Sequence, residues 1–162
     1  MLGRTYDNEV CSAARALEIV GERWSLLILR NAAFAGMTRF TDFQNALDIA
    51  PNILAARLAH FVESGLMTTS GESGGHQTYQ LTKKGLDFKP VIIALTEWGD
   101  RWAAPDGVPI VYEHEGCGGR VKQELCCKEC AARVRAERVA ARKTAVMARL
   151  QQARSGRPAR KR

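Results

Sequence analysis

Four of the five cysteines lie between residues 117 and 130, close to one of the three histidines. Two residues separate His114 from Cys117 and Cys127 from Cys130, and nine residues lie between these two pairs. Two close pairs of soft ligands at this spacing allow a short loop to enclose a tetrahedral zinc ion. Four protein ligands leave no position for a reacting water, so we expect a structural zinc site rather than a catalytic one.

The cysteines also allow other interpretations. Cys126 is adjacent to Cys127 and could replace it as a ligand. Alternatively, Cys126, Cys127 and Cys130 stay metal-free and form a peroxide-sensitive thiol cluster. Cys11 lies at the start of a predicted helix, where the positive end of the helix dipole favours the thiolate. It is therefore a candidate redox sensor, although a lone cysteine at such a position is often a small buried apolar group.

A second set of residues could recognise DNA bases. Asn52 and Arg57 carry paired hydrogen-bonding groups that match the edges of adenine and guanine. Both follow Pro51, which suits the first turn of a helix, and Ala56 and His60 share the face predicted to be exposed. For Arg57, an intramolecular ion pair or a phosphate contact is the alternative. For His60, the alternative is a histidine that only faces solvent.

Residues on either side of this helix could contact the DNA backbone. Thr38, Arg39 and Thr41 lie at the start of the preceding short helix, where backbone N–H groups favour a phosphate. The threonines could instead serve only as helix caps. In a predicted hairpin further along, His76 and Gln77 adjoin a glycine-rich tip that could enter a minor groove. Lys83 and Lys84 follow, near the expected path of the DNA backbone, and complete the set of candidate contacts.

Apolar periodicity predicts the elements that position these residues. Helices are expected over residues 10–20, 22–30, 40–47 and 51–64, and strands over 66–69 and 77–81. A long helix capped by Thr82 and interrupted early by Pro90 follows, and a last helix is expected from about 131 to 154. This order predicts a mostly α fold with a small β-hairpin wing (α+β), a winged helix-turn-helix. We expect this domain at 1–104, a zinc knuckle at 105–130 and a basic helix and tail at 131–162, and no internal repeat is evident.

The sequence resembles the HxlR-type regulators in seven short motifs that occur in order. They are Cys11, residues 21–29, 39–43 and 54–58, Gly65-Leu66, residues 79–82 and 97–99. The resemblance implies a winged-helix homodimer that binds an operator on double-stranded DNA, often near its own gene. It also implies a response to a small-molecule effector or a reactive electrophile, and in some members the cysteine matching Cys11 is the sensor. Longer members carry a similar cysteine-rich extension.

An apolar stripe on the long helix is larger than a small domain easily covers. The resemblance implies that this helix and the first helix build the homodimer, which would recognise a pseudo-palindromic operator. Packing of the stripe on the domain's own core is the alternative. The stripe comprises Val91, Ile92, Leu95, Trp98 and Trp102.

The net charge of +7 is unevenly distributed. Residues 131–162 hold eleven Lys and Arg against Glu137, a charge of +10, so residues 1–130 carry −3. The tail could neutralise DNA phosphates or remain solvated. No membrane span or signal peptide is indicated, so we expect a cytoplasmic protein. No catalytic motif is evident, so an enzyme is disfavoured, and an adaptor with a zinc knuckle that binds proteins is the alternative to a DNA-binding regulator.

Overall fold

A computed structural model describes residues 6, 9–71 and 77–155 of the 162-residue chain. The chain divides into two compact units. Residues 19–123 form the larger unit, and the described parts of 1–18 and 124–162 form the smaller one. The domain boundary expected at residue 104 falls inside the larger unit.

The order of elements in the larger unit is that of a winged helix-turn-helix, as predicted. Helix α1 crosses the boundary between the units. In chain order, the helices and strands are α1 Ser12–Val20, α2 Ser25–Phe34, α3 Phe40–Leu47, α4 Pro51–Glu63, β1 Met67–Ser70, β2 Thr78–Leu81, α5 Lys83–Leu86, α6 Lys89–Trp102 and α7 Ala145–Ser155, with a short 3-10 helix at Ala136–Arg138. None of these helices, within the part of the chain described, is long and apolar enough to span a membrane.

The core lies among α2, α3 and α4, because each contributes side chains spaced three or four residues apart. Ile28 and Leu29 of α2 are almost completely buried, and they pack with Phe43 of α3. Leu54 and Leu58 complete the centre from α4. This packing buries one side of α4 and leaves its opposite side free, which is the arrangement that a recognition helix needs.

The turn between α3 and α4 has well-defined boundaries. Arg39, in an extended conformation, is the N-cap of α3, and its backbone N–H donates to the Asp42 carboxylate at 3.2 Å. The alternative in which Thr38 or Thr41 serves only as a helix cap therefore does not apply, because Arg39 is the N-cap and the Asp42 carboxylate accepts its N–H. Asp48 adopts a left-handed conformation with φ 47° and ends α3. Pro51 then opens α4, as predicted.

The wing is an antiparallel hairpin in which Met67 pairs with Leu81 and Ser70 with Thr78. It is joined to the helix-turn-helix, since the Tyr79 N–H donates to the Thr38 carbonyl at 2.7 Å. The start of α3 and the wing thus form one connected surface. Most of the predicted flexible tip, residues 72–76, lies outside the described residues.

Two predicted helices differ from those observed. The long helix after Thr82 is two helices, because the Thr82 hydroxyl caps α5 and Pro90 lies in the first turn of α6, where no N–H is needed. The last helix begins at Ala145 rather than near residue 131. A bridge between Cys126 and Arg133 closes a tight turn over the expected start of this helix, which overrides the helix propensity at that point.

Gly85 lies in α5 where this helix meets the wing, and a substitution there would test how tightly the two elements pack. A Cβ at this buried position would lie 2.3 Å from the Leu66 carbonyl oxygen and 2.8 Å from Leu81 Cδ2. The same carbonyl accepts the Thr82 N–H at 3.0 Å, so it cannot retreat without losing that bond. We expect Gly85→Ala to lower the free energy of unfolding by about 2 to 3 kcal/mol, measured by chemical denaturation.

Gly99→Ala is the matched control, since a Cβ at this helical position meets nothing within 4 Å in the same chain. It should be neutral or stabilising by up to about 1 kcal/mol. Equal losses of stability in both variants would contradict this account of the junction.

Candidate nucleic-acid interface

The exposed side of α4 presents several of the residues predicted to contact bases. Asn52 lies in its first turn and is exposed, as is Ala56 one turn later. His60 is half-buried near the other end of the helix. Ile53 is 40% exposed beside Asn52. Its side chain could make an apolar contact with a thymine methyl group, and residue type gives no sign of this because isoleucine is typical of a core position.

Arg57 forms the intramolecular ion pair that the sequence analysis gave as an alternative to base recognition. Its guanidinium lies 3.7 Å from the Glu22 carboxylate, and its side chain is only 14% exposed, against 58% for Glu22. An arginine held in this way has fewer donors free for guanine. Glu22 also places a negative charge next to α4, which disfavours a nearby phosphate.

The start of α3 offers a mixed electrostatic environment for a phosphate. Arg39 and Thr41 are exposed, whereas Thr38 is half-buried and its carbonyl is used by the wing. Asp42 occupies the Arg39 N–H and adds a negative charge to the first turn. A phosphate bound here would therefore depend mainly on the Arg39 side chain.

The wing residues and lysines have intramolecular contacts of their own. Burial raises the pKa of the Tyr79 hydroxyl, which donates to Gln77 Oε1 at 3.3 Å. Lys83 pairs with Asp87 at 2.8 Å but stays highly exposed, so a phosphate could compete for it. Lys84 donates to the Ser64 carbonyl at 2.6 Å, near the end of α4. His76 lies outside the described residues.

The apolar stripe of α6 divides into a buried residue and an exposed face. Ile92 is 4% exposed and belongs to the core. Val91, Leu95, Trp98 and Trp102 are 48%, 47%, 61% and 66% exposed, so the domain's own core does not cover them. Their spacing of four, three and four residues places them along one side of the helix. We call these four residues the α6 face.

The predicted zinc ligands lie as one close pair in each unit. His114 Nδ1 is 3.3 Å from Cys117 Sγ in the larger unit. In the smaller unit, backbone N–H groups of Cys130 and Glu129 donate to the Cys127 sulfur, lowering the pKa of that thiol. Among the residues that the structure describes, no three His, Cys, Asp or Glu side chains form a group able to hold a metal.

Cys11 is exposed at the start of α1, so the buried alternative does not apply. It lines an open cleft of about 860 Å³ in the smaller unit, with Arg15 on the same helix and Arg142 and Lys143 near α7. The larger unit has a second cleft, of about 360 Å³, between α6 and residues 108–122. The final basic residues, 156–162, lie outside the described part of the chain.

Comparisons with known proteins agree with this architecture. The HxlR-like helix-turn-helix family matches residues 19–107. Rv3095, named an HTH-type transcriptional regulator of Mycobacterium tuberculosis, is 40% identical over 132 residues, which are 79% of this chain and 82% of the relative.

Two solved structures are also similar. PA1607, named as a transcription factor, is 38% identical with a TM-score of 0.74, covering 83% of this chain and 96% of its own. PA1374 of Pseudomonas aeruginosa, also named as a transcription factor, is 34% identical with a TM-score of 0.61. The match covers 89% of this chain and 99% of PA1374. The chain therefore belongs to the HxlR-like helix-turn-helix family and is a transcriptional regulator with a helix-turn-helix DNA-binding domain.

Proposed function

We propose that the chain binds a pseudo-palindromic operator as a homodimer, with α4 of each copy in a major groove. The observation that carries this proposal is the position of α4. One side of it is buried on the core, and the other presents Asn52 and Ala56 from its N-terminal half, which is the part that reads base edges. Among the residues that the structure describes, no side chain pairs with Asn52 in the way that Glu22 pairs with Arg57, and we assign Asn52 the main base contact.

The proposed DNA contacts on either side of α4 are weaker than the base contacts of α4 and depend less on the DNA sequence. Arg39, Thr38 and Thr41 would contact phosphate at the start of α3, and Lys83 would contact it after the wing. Gln77 and His76 would approach a flanking minor groove. Arg57 would support α4 through Glu22 more than it would read bases, and His60 would lie at the edge of the interface. Basic residues of the tail would add affinity without specificity.

The α6 face is the proposed dimer contact. An apolar strip with two tryptophans on one helix is rarely left in water, and a second copy offers the same strip across a two-fold axis. Only two residues separate α5 from α6, and α5 directly follows the wing, so a dimer through α6 would set the distance between the two recognition helices.

The proposed signal reaches the protein in the cytoplasm as a small molecule or a thiol-reactive compound. The cleft beside α6, lined by Thr96, Arg101, Ile110 and Tyr112 among others, would place an effector next to the dimer helix. Cys11 is the candidate thiol sensor, since it is exposed and lines a cleft that three cationic side chains also line, which would attract an anionic or electron-poor reagent. Either route would act by changing the arrangement of the two recognition helices.

The test is fluorescence anisotropy of the full chain with DNA from upstream of its own gene, against scrambled competitor, at two salt concentrations. We expect saturable binding that resists the competitor and that weakens without losing selectivity when residues 156–162 are removed. Binding that is unselective, or that vanishes with the tail, would contradict the proposal for this DNA and favour an adaptor that contacts proteins.

A further inference from the structure

The exposed side of α4 is apolar along most of its length. After Pro51 and before Glu63, the exposed residues of this helix are Asn52, Ile53, Ala55, Ala56 and Ala59. Within α4, which the structure describes in full, Glu63 at the very end is the only exposed charged residue. The solvent side of a surface helix normally carries charged and polar side chains. The apolar side of α4 is therefore suited to a partner whose own surface is partly apolar.

Ile53 provides the largest apolar side chain on this side of α4. It is 40% exposed, whereas the adjacent Leu54 is completely buried in the core. Residues three and four positions apart are neighbours on a helix, so Ala56 lies beside both Ile53 and Asn52. The N-terminal half of α4, which is the half that reads base edges, thus presents one amide next to an apolar patch.

The arginine of α4 is held away from this patch. A free arginine is the usual reader of guanine, but the Arg57 guanidinium lies 3.7 Å from the Glu22 carboxylate and its side chain is only 14% exposed. Moving Arg57 into the groove would break the ion pair and leave the negative charge of Glu22 uncompensated near the DNA. The structure therefore disfavours recognition of a G·C pair by this residue.

The patch matches the major-groove edge of an A·T pair. Asparagine can pair bidentately with adenine, and apolar side chains such as alanine contact the C5 methyl group by which thymine differs from the other bases. A cytosine at the same place would present an amino donor to Ile53. That donor would lose its water without gaining a partner, which costs free energy.

We propose that α4 selects A·T pairs in each half-site, with Asn52 paired to an adenine and with Ile53 and Ala56 on the methyl group of a neighbouring thymine. This inference rests on the proposed operator binding and states which bases the bound helix reads. Specificity then comes from one amide and from thymine methyl groups, and Arg57 contributes none of it.

The test starts from the full chain and a random pool of double-stranded DNA, from which bound sequences are selected. Thymines at the most selective positions are then replaced one at a time by uracil, which removes the methyl group and keeps the base pairing. At one position of each half-site, uracil should weaken binding about 4-fold, the factor that corresponds to about 0.8 kcal/mol for one buried group of this size. Fluorescence anisotropy measures the affinities.

Ile53→Ala completes a double-mutant cycle with the uracil replacement. In this variant, uracil at the same position should weaken binding less than about 2-fold, because the contact with the methyl group is already lost. Leu125→Ala is the matched control, since it removes an isomeric side chain that is 53% exposed and lies outside α4. It should keep the full effect of uracil.

Equal binding of thymine and uracil DNA at every selected position overturns the inference, and so does an effect of uracil that Ile53→Ala leaves intact. Half-sites dominated by a guanine whose selection is lost in Arg57→Met also overturn it. All three results leave operator binding in place. A pool that yields no preferred sequence contradicts the operator itself, so failure of this inference and failure of the proposed function are distinguishable.

Discussion

Replacing Trp98 and Trp102 together with glutamate should convert the proposed homodimer into a monomer and weaken binding to the proposed operator about 100-fold or more. Both side chains are more than half exposed in the single chain, so charge there is tolerated in the monomer. In a dimer, the four carboxylates would lie buried in an apolar contact, which strongly disfavours association. The loss in DNA affinity follows because two linked half-site contacts bind far more tightly than one. Sedimentation velocity and anisotropy would measure the two effects.

Val139→Glu provides the control for this experiment. Val139 is 60% exposed, almost as much as Trp98, but it lies outside the α6 face. It should leave the oligomeric state unchanged, and its single added charge should weaken DNA binding far less than the double variant does. A double variant that stays dimeric, or a wild-type chain that is monomeric at micromolar concentration, would remove the basis for the dimer.

Asn52→Ala should weaken binding to the operator about 5- to 150-fold, corresponding to about 1 to 3 kcal/mol for a bidentate contact with a base. The side chain is exposed in the first turn of α4 and contributes nothing to the core, so thermal stability should barely change. The effect should be confined to selective binding, since contacts to phosphate remain. Anisotropy against matched operator and scrambled DNA would measure the ratio of the two affinities.

Asn45→Ala is the matched control, because it removes the same amide from an exposed position of α3. Its affinity for the operator should stay close to that of the wild type. An equal loss in both variants, or an equal loss on operator and scrambled DNA, would show that Asn52 does not read a base. An adaptor that acts through proteins would be indifferent to both substitutions.

The ion pair between Arg57 and Glu22 illustrates how a site predicted from residue types is changed by its surroundings. The sequence identified Arg57 as a residue with the right donors, and its position in α4 agrees with that prediction. Only the packing of the segment before α2 against α4 brings Glu22 within 3.7 Å. These residues are 35 positions apart, so no local pattern could have revealed the contact.

The ends of helices also divide into those that local residue types predict and those that depend on the surrounding structure. Pro51 and Gly65 predicted the start and end of α4 because their effects on the backbone are local, and Gly65 has φ 72°. The cap of α3 was left open between a threonine cap and a phosphate contact, because several residues near Arg39 suit the start of a helix, and the structure places Arg39 there with Asp42 accepting its N–H. The predicted helix after Cys130 begins only at Ala145, because composition gives helix propensity but cannot show that the backbone bridge between Cys126 and Arg133 closes a turn over its expected start.

Periodicity and residue type within short segments were enough to predict the winged helix-turn-helix, its second motif helix and the candidate ligands. Contacts between segments far apart in the chain set which side of α6 stays exposed, which partner holds Arg57 and how the wing joins α3. Such contacts have no signature in residue spacing, because they form only once the chain has folded.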